Sequence, residues 1–170
     1  MQARVKWVEG LTFLGESASG HQILMDGNSG DKAPSPMEMV LMAAGGCSAI
    51  DVVSILQKGR QDVVDCEVKL TSERREEAPR LFTHINLHFI VTGRDLKDAA
   101  VARAVDLSAE KYCSVALMLE KAVNITHSYE VVAAWLNYPV VKPDSILSGV
   151  IAELLDFLSF HQSLHQRQHN

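Results

Sequence analysis

The feature that most constrains the fold is one long apolar segment, residues 37–58. Ser35 and Pro36 precede it as an N-cap and a proline at the first helical position, and Glu38 completes a capping box. Gly59 stands where a C-cap is expected. The segment is apolar nearly all round over three turns, which is typical of a helix that other elements cover. We therefore expect a long, buried central helix.

The remaining pattern predicts six strands and two further helices around this segment. Residues 4–8, 11–16 and 21–26 form a predicted meander, residues 64–71 and 83–91 two longer strands, residues 96–112 and 113–122 two helices, and residues 123–134 a last strand. Strands and helices occur in groups along the chain and do not alternate regularly. This grouping favours an α+β fold over a doubly wound sheet.

Two adjacent glycines, Gly45 and Gly46, lie inside the apolar segment just before Cys47. Each lowers helix stability by about 1 kcal/mol relative to alanine. We therefore expect another backbone or a ligand to approach closely at this point. Tight packing against a neighbouring element would require glycine equally.

Composition and charge narrow the classes of partner. The chain has 170 residues, 47% of them hydrophobic, with a net charge of −5 and no basic cluster, so we expect no nucleic-acid partner. The first residues lack the apolar core of a secretory signal, and residues 39–50 form an uncharged stretch shorter than the roughly 20 residues of a membrane span. We expect a cytoplasmic protein without a membrane partner.

The chain divides by pattern into residues 1–134 and a C-terminal extension, residues 135–170. The first part contains every predicted strand and all three cysteines. The extension follows Asn137-Tyr138-Pro139, and its residues 146–158 carry an apolar stripe at helical spacing. We predict an amphipathic helix there that takes no part in the chemistry.

Three cysteines without close spacing predict neither a disulfide framework nor a CxxC zinc site. Cys47 lies in the apolar helix, where a cysteine is usually an inert small hydrophobe. Cys66 fits the buried face of a strand. Cys113 begins a predicted helix, where amide N–H groups favour a thiolate.

Asp51 stands four residues after Cys47, on the same face of the predicted helix. Its charge would disfavour a Cys47 thiolate, so a reactive site would need a compensating cation. Alternatively, Asp51 is a hydrogen-bonding partner in the core or in a dimer.

The block of residues 35–53, together with Tyr112-Cys113-Ser114-Val115-Ala116, resembles the OsmC/Ohr family over about residues 1–134. The resemblance implies an intertwined α+β homodimer with antiparallel sheets around a long central helix. It further implies two sites at the dimer interface.

The chemistry implied by this resemblance is cofactor-free and metal-free. Cys47 would attack a hydroperoxide and become a sulfenic acid, and Cys113 would resolve it as a disulfide. An external dithiol or a lipoylated protein would then restore the thiols. Glu38 would orient an activating cation, and Ser48 and Asp51 would be neighbours of the site.

The sequence departs from the family pattern at three places. No arginine occurs between Arg4 and Arg60, where the peroxidases carry an activating arginine, which leaves Lys32 or a distant arginine as a substitute. Met37 holds the place of the family glutamate, and Ser114 replaces a proline. Two hypotheses follow: a thiol-dependent reductase of organic hydroperoxides, or a non-enzymatic dimer that binds a small apolar ligand or senses redox state.

Overall fold

The computed structural model describes residues 1–28 and 30–135, and the predicted C-terminal extension lies outside the described residues apart from Trp135. The described chain contains six strands, three α-helices and one π-helical turn. The strands are β1 Ala3–Glu9, β2 Thr12–Ser17, β3 Gln22–Asp26, β4 Asp62–Arg74, β5 Phe82–Arg94 and β6 Asn124–Ala133. The helices are α1 Pro36–Lys58, α2 Asp98–Leu107 and α3 Ser114–Leu119. This order confirms the predicted α+β class.

The strands form two three-stranded sheets. β1, β2 and β3 make the expected antiparallel meander, and β4 and β5 make a long antiparallel hairpin. β6 returns from α3 to pair in parallel with β5, so the second sheet is mixed. A parallel neighbour requires a crossover connection, and α2, the π-helical turn and α3 supply it.

The core lies between the second sheet and the helices α1 and α2. β5 contributes half of the core residues because its apolar residues alternate with polar ones, which puts one face of the strand inward. The core residues share near-complete burial: Val52, Leu56, Phe82, Ile85, Leu87, Phe89, Val91, Val101, Ala104 and Val105.

Helix α1 begins and ends as predicted. Ser35 is the N-cap with both hydrogen bonds of the capping box, Pro36 opens the helix, and Gly59 is the C-cap. One side of α1 packs on β4 and α2. Within the described residues, a Cβ on Gly45 would lie 2.7 Å from Leu70 Cδ1, so the Leu70 side chain would have to shift, whereas a Cβ on Gly46 would meet nothing within 4 Å.

The expectation that α1 is buried all round holds for only one of its sides. In the most apolar part of the helix 28% of the residues are buried, and Ile50 is 72% exposed. By length and composition α1 is also the one helix of the described chain that could cross a membrane. Its packing on β4 and α2 is that of a core helix with a second apolar face left open.

The predicted helix over residues 96–112 is wrong in one respect. α2 ends at Leu107, and a π-helical turn, Ser108–Tyr112, follows. The Cys113 N–H donates to the Ser108 carbonyl at 2.9 Å, five residues back, and this wider bond ends the helix. The wider turn sets Cys113 at the N-cap of α3.

Candidate thiol site

Two cysteines that are distant in sequence meet beside α1. Sulfur atoms of Cys47 and Cys113 and a carboxylate oxygen of Asp51 all lie within 4.8 Å of one another. Cys47 and Asp51 are half-buried, whereas Cys113 is fully buried. Cys47 and Asp51 are neighbours because residues four apart share a helix face. Cys113 lies beside them at the end of the π-helical turn.

Cys113 is held by three backbone contacts. Its N–H is bound to Ser108 as described, its thiol donates to the Ala44 carbonyl at 3.9 Å, and the Ala116 N–H donates to its sulfur at 3.4 Å. The last contact makes the cysteine side chain the N-cap of α3. The sulfur is thus fixed against α1 by the fold itself.

Burial is the largest influence on the Cys113 thiol and raises its pKa above the ordinary value. The Cys47 thiol raises that pKa further, whereas hydrogen bonds with the Ser48 side chain and the Ala116 amide lower it. Cys113 is therefore a protonated thiol near neutral pH. The amides at the start of α3 do not outweigh burial, so Cys113 does not gain the thiolate character that its position predicted.

Two serines complete the surroundings of the cluster. Ser48, predicted from the sequence as a neighbour of the site, is buried, and its side chain is hydrogen-bonded with the Cys113 thiol. Ser108 was missed as a site residue by sequence reasoning. Its hydroxyl lies 3.3 Å from both the Ser48 carbonyl and Asp51 Oδ2. The available signal was a serine on the apolar face of the helix predicted over residues 96–112.

Glu38 lies away from the thiols. It is nine residues before Cys47, which places the two on opposite faces of α1 and about 13 Å apart along the axis. Its Oε2 accepts from the Ser35 N–H and the Ser35 hydroxyl, both at 2.7 Å, and these bonds lower the pKa of Glu38. Within one chain Glu38 thus acts as part of the helix cap.

The cation expected to substitute for arginine is engaged elsewhere. Lys32 Nζ lies 2.7 Å from Glu9 Oε1, and this contact raises the pKa of Lys32. Lys32 and Glu38 both line an open cleft of about 590 Å³ whose other walls include Leu41, Met42 and Leu70. Neither thiol lines this cleft, so the cleft and the thiol cluster are separate features of a single chain.

Cys66 takes no part in the cluster. It lies half-buried on the inward side of β4, packed against the core. Burial, assisted by the Asp65 charge, raises the pKa of its thiol from 9.0 to about 11. The prediction of a buried strand position is confirmed, and the thiol is a protonated one at physiological pH.

Comparisons with known proteins agree with this architecture. Residues 29–128 match the family model described as OsmC-like protein. A solved structure from a structural genomics effort is 98% identical over 79% of this chain and 100% of that chain, with a TM-score of 0.76. A hypothetical protein from Aquifex aeolicus VF5 is 33% identical over 79% of this chain and 97% of that chain, with a TM-score of 0.72.

A more distant neighbour carries a functional description. The organic hydroperoxide resistance protein OsmC from Legionella pneumophila is 17% identical over 76% of this chain and 96% of that chain, with a TM-score of 0.59. At that identity the likeness concerns the fold alone. The family match covers more than half of the chain, and together with the capped central helix and two-sheet topology it shows that this protein belongs to the OsmC-like family.

Proposed function

We propose that this OsmC-like protein is a thiol-dependent reductase of organic hydroperoxides. The observation that carries the proposal is the approach of the Cys47 and Cys113 sulfur atoms to within 4.8 Å. The described chain holds this pair without a third cysteine nearby, since Cys66 faces the core of the second sheet. The motif block also resembles the enteric OsmC-like protein YhfA, and we assign the chain to that branch.

The difference in burial between Cys47 and Cys113 suggests which of them attacks the peroxide and which resolves the sulfenic acid. A hydroperoxide must reach the attacking sulfur, and Cys47 is half-buried whereas Cys113 is fully enclosed. The Cys47 thiolate attacks the terminal peroxide oxygen, the O–O bond breaks, and the alcohol leaves as the sulfenic acid forms. The protonated Cys113 thiol then condenses with the sulfenic acid, releasing water and forming a disulfide. An external dithiol or a lipoylated protein supplies the two electrons that restore both thiols.

We further propose that the functional unit is an intertwined homodimer. The open side of α1 carries small and apolar residues at helical spacing, including Ala43, Gly46 and Ile50. Among the residues that the structure describes, no atom outside the neighbouring turns of α1 would lie within 4 Å of a Cβ on Gly46. A second copy of α1 packed at this face would bury it and bring the interface next to Cys47.

The meander gives independent support for a dimer. Its strand β1 is exposed on both faces, with Val5 61% and Trp7 62% exposed, and the meander packs mainly on itself within the described chain. An apolar sheet of this kind requires another surface to cover it. Because Glu38 faces away from Cys47 on its own helix, it would reach a thiol site only as a contribution from the partner protomer.

A second function, a non-enzymatic redox-sensing or ligand-binding dimer, is favoured by one observation. Asp51 stands beside the thiols, and the groups that act on the Cys113 pKa include no lysine or arginine of the described chain. A carboxylate without a cation slows attack on peroxide because it disfavours the thiolate. The cleft lined by Leu41, Met42 and Leu70 offers the apolar surface that a small ligand needs.

Steady-state consumption of an organic hydroperoxide distinguishes the two functions. The full chain is assayed with a dithiol and with a lipoylated protein as alternative donors, in the presence of a chelator. Turnover that Cys47→Ser abolishes and Cys66→Ser leaves intact supports the reductase. Equal consumption by wild type and Cys47→Ser, at the rate of the donor alone, would leave the sensing or ligand-binding dimer as the function.

A further inference from the structure

The thiol cluster has the composition and spacing of a metal site. Two sulfur atoms and one carboxylate oxygen within 4.8 Å of one another can converge on a single ion. In a tetrahedral site with Zn–S bonds of about 2.3 Å, the ligand atoms lie roughly 3.5–3.8 Å apart. Small side-chain rotations therefore suffice to bring the Cys47, Asp51 and Cys113 donors to this spacing.

We propose that Cys47, Asp51 and Cys113 bind a thiophilic divalent cation, Zn²⁺ in preference to Mg²⁺ or Ca²⁺, with a solvent molecule as the fourth ligand. Sulfur donors select zinc over the hard cations, which prefer oxygen ligands throughout. The inference shares its thiols with the proposed reductase but does not depend on peroxide turnover.

The charges of the site favour a cation. Asp51 places a carboxylate oxygen within 4.8 Å of both sulfur atoms, so the three groups bring up to three negative charges together when the thiols ionise. A divalent ion would compensate this negative charge. Binding would convert both thiols to thiolates and release two protons. The divalent ion, the two thiolates and the carboxylate would together carry a net charge of −1.

The surrounding groups fix the ligands in place. Ser108 Oγ lies 3.3 Å from Asp51 Oδ2, which orients the carboxylate and leaves its other oxygen for an ion. The Ala116 N–H donates to the Cys113 sulfur and would stabilise it as a thiolate. Because Cys47 and Asp51 are half-buried, an ion can enter from their side while Cys113 closes the rear of the site.

The site would also be redox-gated. When a hydroperoxide oxidises the two bound thiolates, they form the disulfide and lose two electrons. The peroxide takes up these electrons with two protons to give an alcohol and water, and the ion loses two of its ligands and leaves. The cation would thus protect the reduced thiol pair and compete with peroxide for it.

Cobalt(II) titration of the reduced, full-length protein under anaerobic conditions tests the proposal. We expect one cobalt per chain, with a near-ultraviolet thiolate-to-cobalt absorption band and the visible bands of four-coordinate cobalt, both removed by equimolar Zn²⁺. Cys47→Ser and Cys113→Ser should each weaken the thiolate band. Asp51→Asn, which keeps the shape of the side chain, should weaken cobalt affinity by about tenfold or more. Asp51→Glu, which keeps a carboxylate, should have an affinity between those of Asp51→Asn and wild type.

Cys66→Ser is the matched control and should leave the titration unchanged. Loss of the band in Cys66→Ser, an affinity unaltered by Asp51→Asn, or six-coordinate spectra without a thiolate band would each overturn the site. Circular dichroism of every variant separates lost ligands from lost fold. Peroxide turnover is measured separately with a chelator present, so failure of the reductase and failure of the metal site give different results.

Discussion

The Ser108 hydroxyl lies 3.3 Å from Asp51 Oδ2 and 3.3 Å from the Ser48 carbonyl, and this pair of contacts joins the π-helical turn to the helix that carries Cys47. Ser108 is fully buried. The hydroxyl therefore orients the Asp51 carboxylate and at the same time holds in place the turn that delivers Cys113. One serine couples the position of the carboxylate to the position of the second thiol.

Replacing Ser108 by alanine should lower the free energy of unfolding by about 1–2 kcal/mol, because a buried carbonyl and a partly buried carboxylate lose a donor. Chemical denaturation measures this. Ser114→Ala, at an exposed serine of α3, is the control and should change stability by less than about 0.5 kcal/mol. Equal effects of the two substitutions would contradict the role assigned to Ser108.

Mild oxidation should form a disulfide between Cys47 and Cys113 and leave Cys66 free. The first two sulfur atoms are within 4.8 Å, whereas Cys66 lies on the inward side of β4. Peptide mapping after one equivalent of hydroperoxide identifies the bridge. A bridge that contains Cys66 would show that the chain rearranges before oxidation, and no bridge at all would contradict Cys113 as the resolving thiol.

The thiol of Cys66 should resist alkylation in the folded protein at pH 8, since burial raises its pKa from 9.0 to about 11. The raised pKa means that the folded state holds the proton more tightly than the unfolded state. This contribution to stability is complete below pH 9 and is lost as pH rises through about 11. Iodoacetamide labelling of Cys66 from pH 8 to about pH 11, compared between folded and denatured protein, tests whether folding raises the pKa of this thiol. Equal labelling rates of the two forms at pH 8 would contradict a raised pKa.

The two glycines of α1 should respond oppositely to alanine. Gly45→Ala places a Cβ 2.7 Å from Leu70 Cδ1, and we expect a net loss of about 1 kcal/mol after the gain in helix propensity is subtracted. In a Leu70→Ala background the same change should no longer destabilise the fold. Gly46→Ala has no clash within the described residues and serves as the comparison; in the Ile50→Glu background, at concentrations where that variant is monomeric, it should stabilise the protomer by about 0.5–1 kcal/mol in chemical denaturation.

The sequence predicts local features of this fold better than contacts between distant elements. α1 is predicted to its ends because Ser35, Pro36, Glu38 and Gly59 act within a few residues of the helix termini. The π-helical turn is not predicted from the sequence. It depends on the hydrogen bond from the Cys113 N–H to the Ser108 carbonyl and on the packing of Ser108 against α1.

The same distinction between local and long-range features applies to the residues of the candidate site. Cys47 and Asp51 share a helix face that spacing alone reveals, whereas their approach to Cys113 follows from the parallel return of the chain to β6 and was available only through family resemblance. The separation of Glu38 from Cys47, in contrast, follows from spacing within a single helix. Its spacing from Cys47 puts it on another face of α1, so helical geometry separates two residues that the family pattern groups together.

Dimer formation should depend on the open face of α1. Replacing Ile50, which is 72% exposed in one chain, by glutamate would put two charges into the proposed interface, one from each protomer. Because each buried isoleucine contributes about 1.5 kcal/mol or more, the dimer should weaken by roughly 100-fold. Leu81→Glu removes another exposed apolar side chain, 53% exposed in the β4–β5 connection, and is the matched control.

Analytical ultracentrifugation with fluorescence detection, across nanomolar to micromolar concentrations, measures the dissociation constants of both variants. A permanent interface of this kind buries more than roughly 2,000 Å², so wild type and Leu81→Glu should share one dissociation constant, and that of Ile50→Glu should be about 100-fold higher. A folded wild-type monomer at micromolar concentrations would contradict the dimer outright. Equal weakening by both variants would contradict the assignment of the interface to the open face of α1. The thiol assay then becomes informative: if Glu38 is supplied by the partner protomer, Ile50→Glu should lose hydroperoxide turnover although both of its own cysteines are intact.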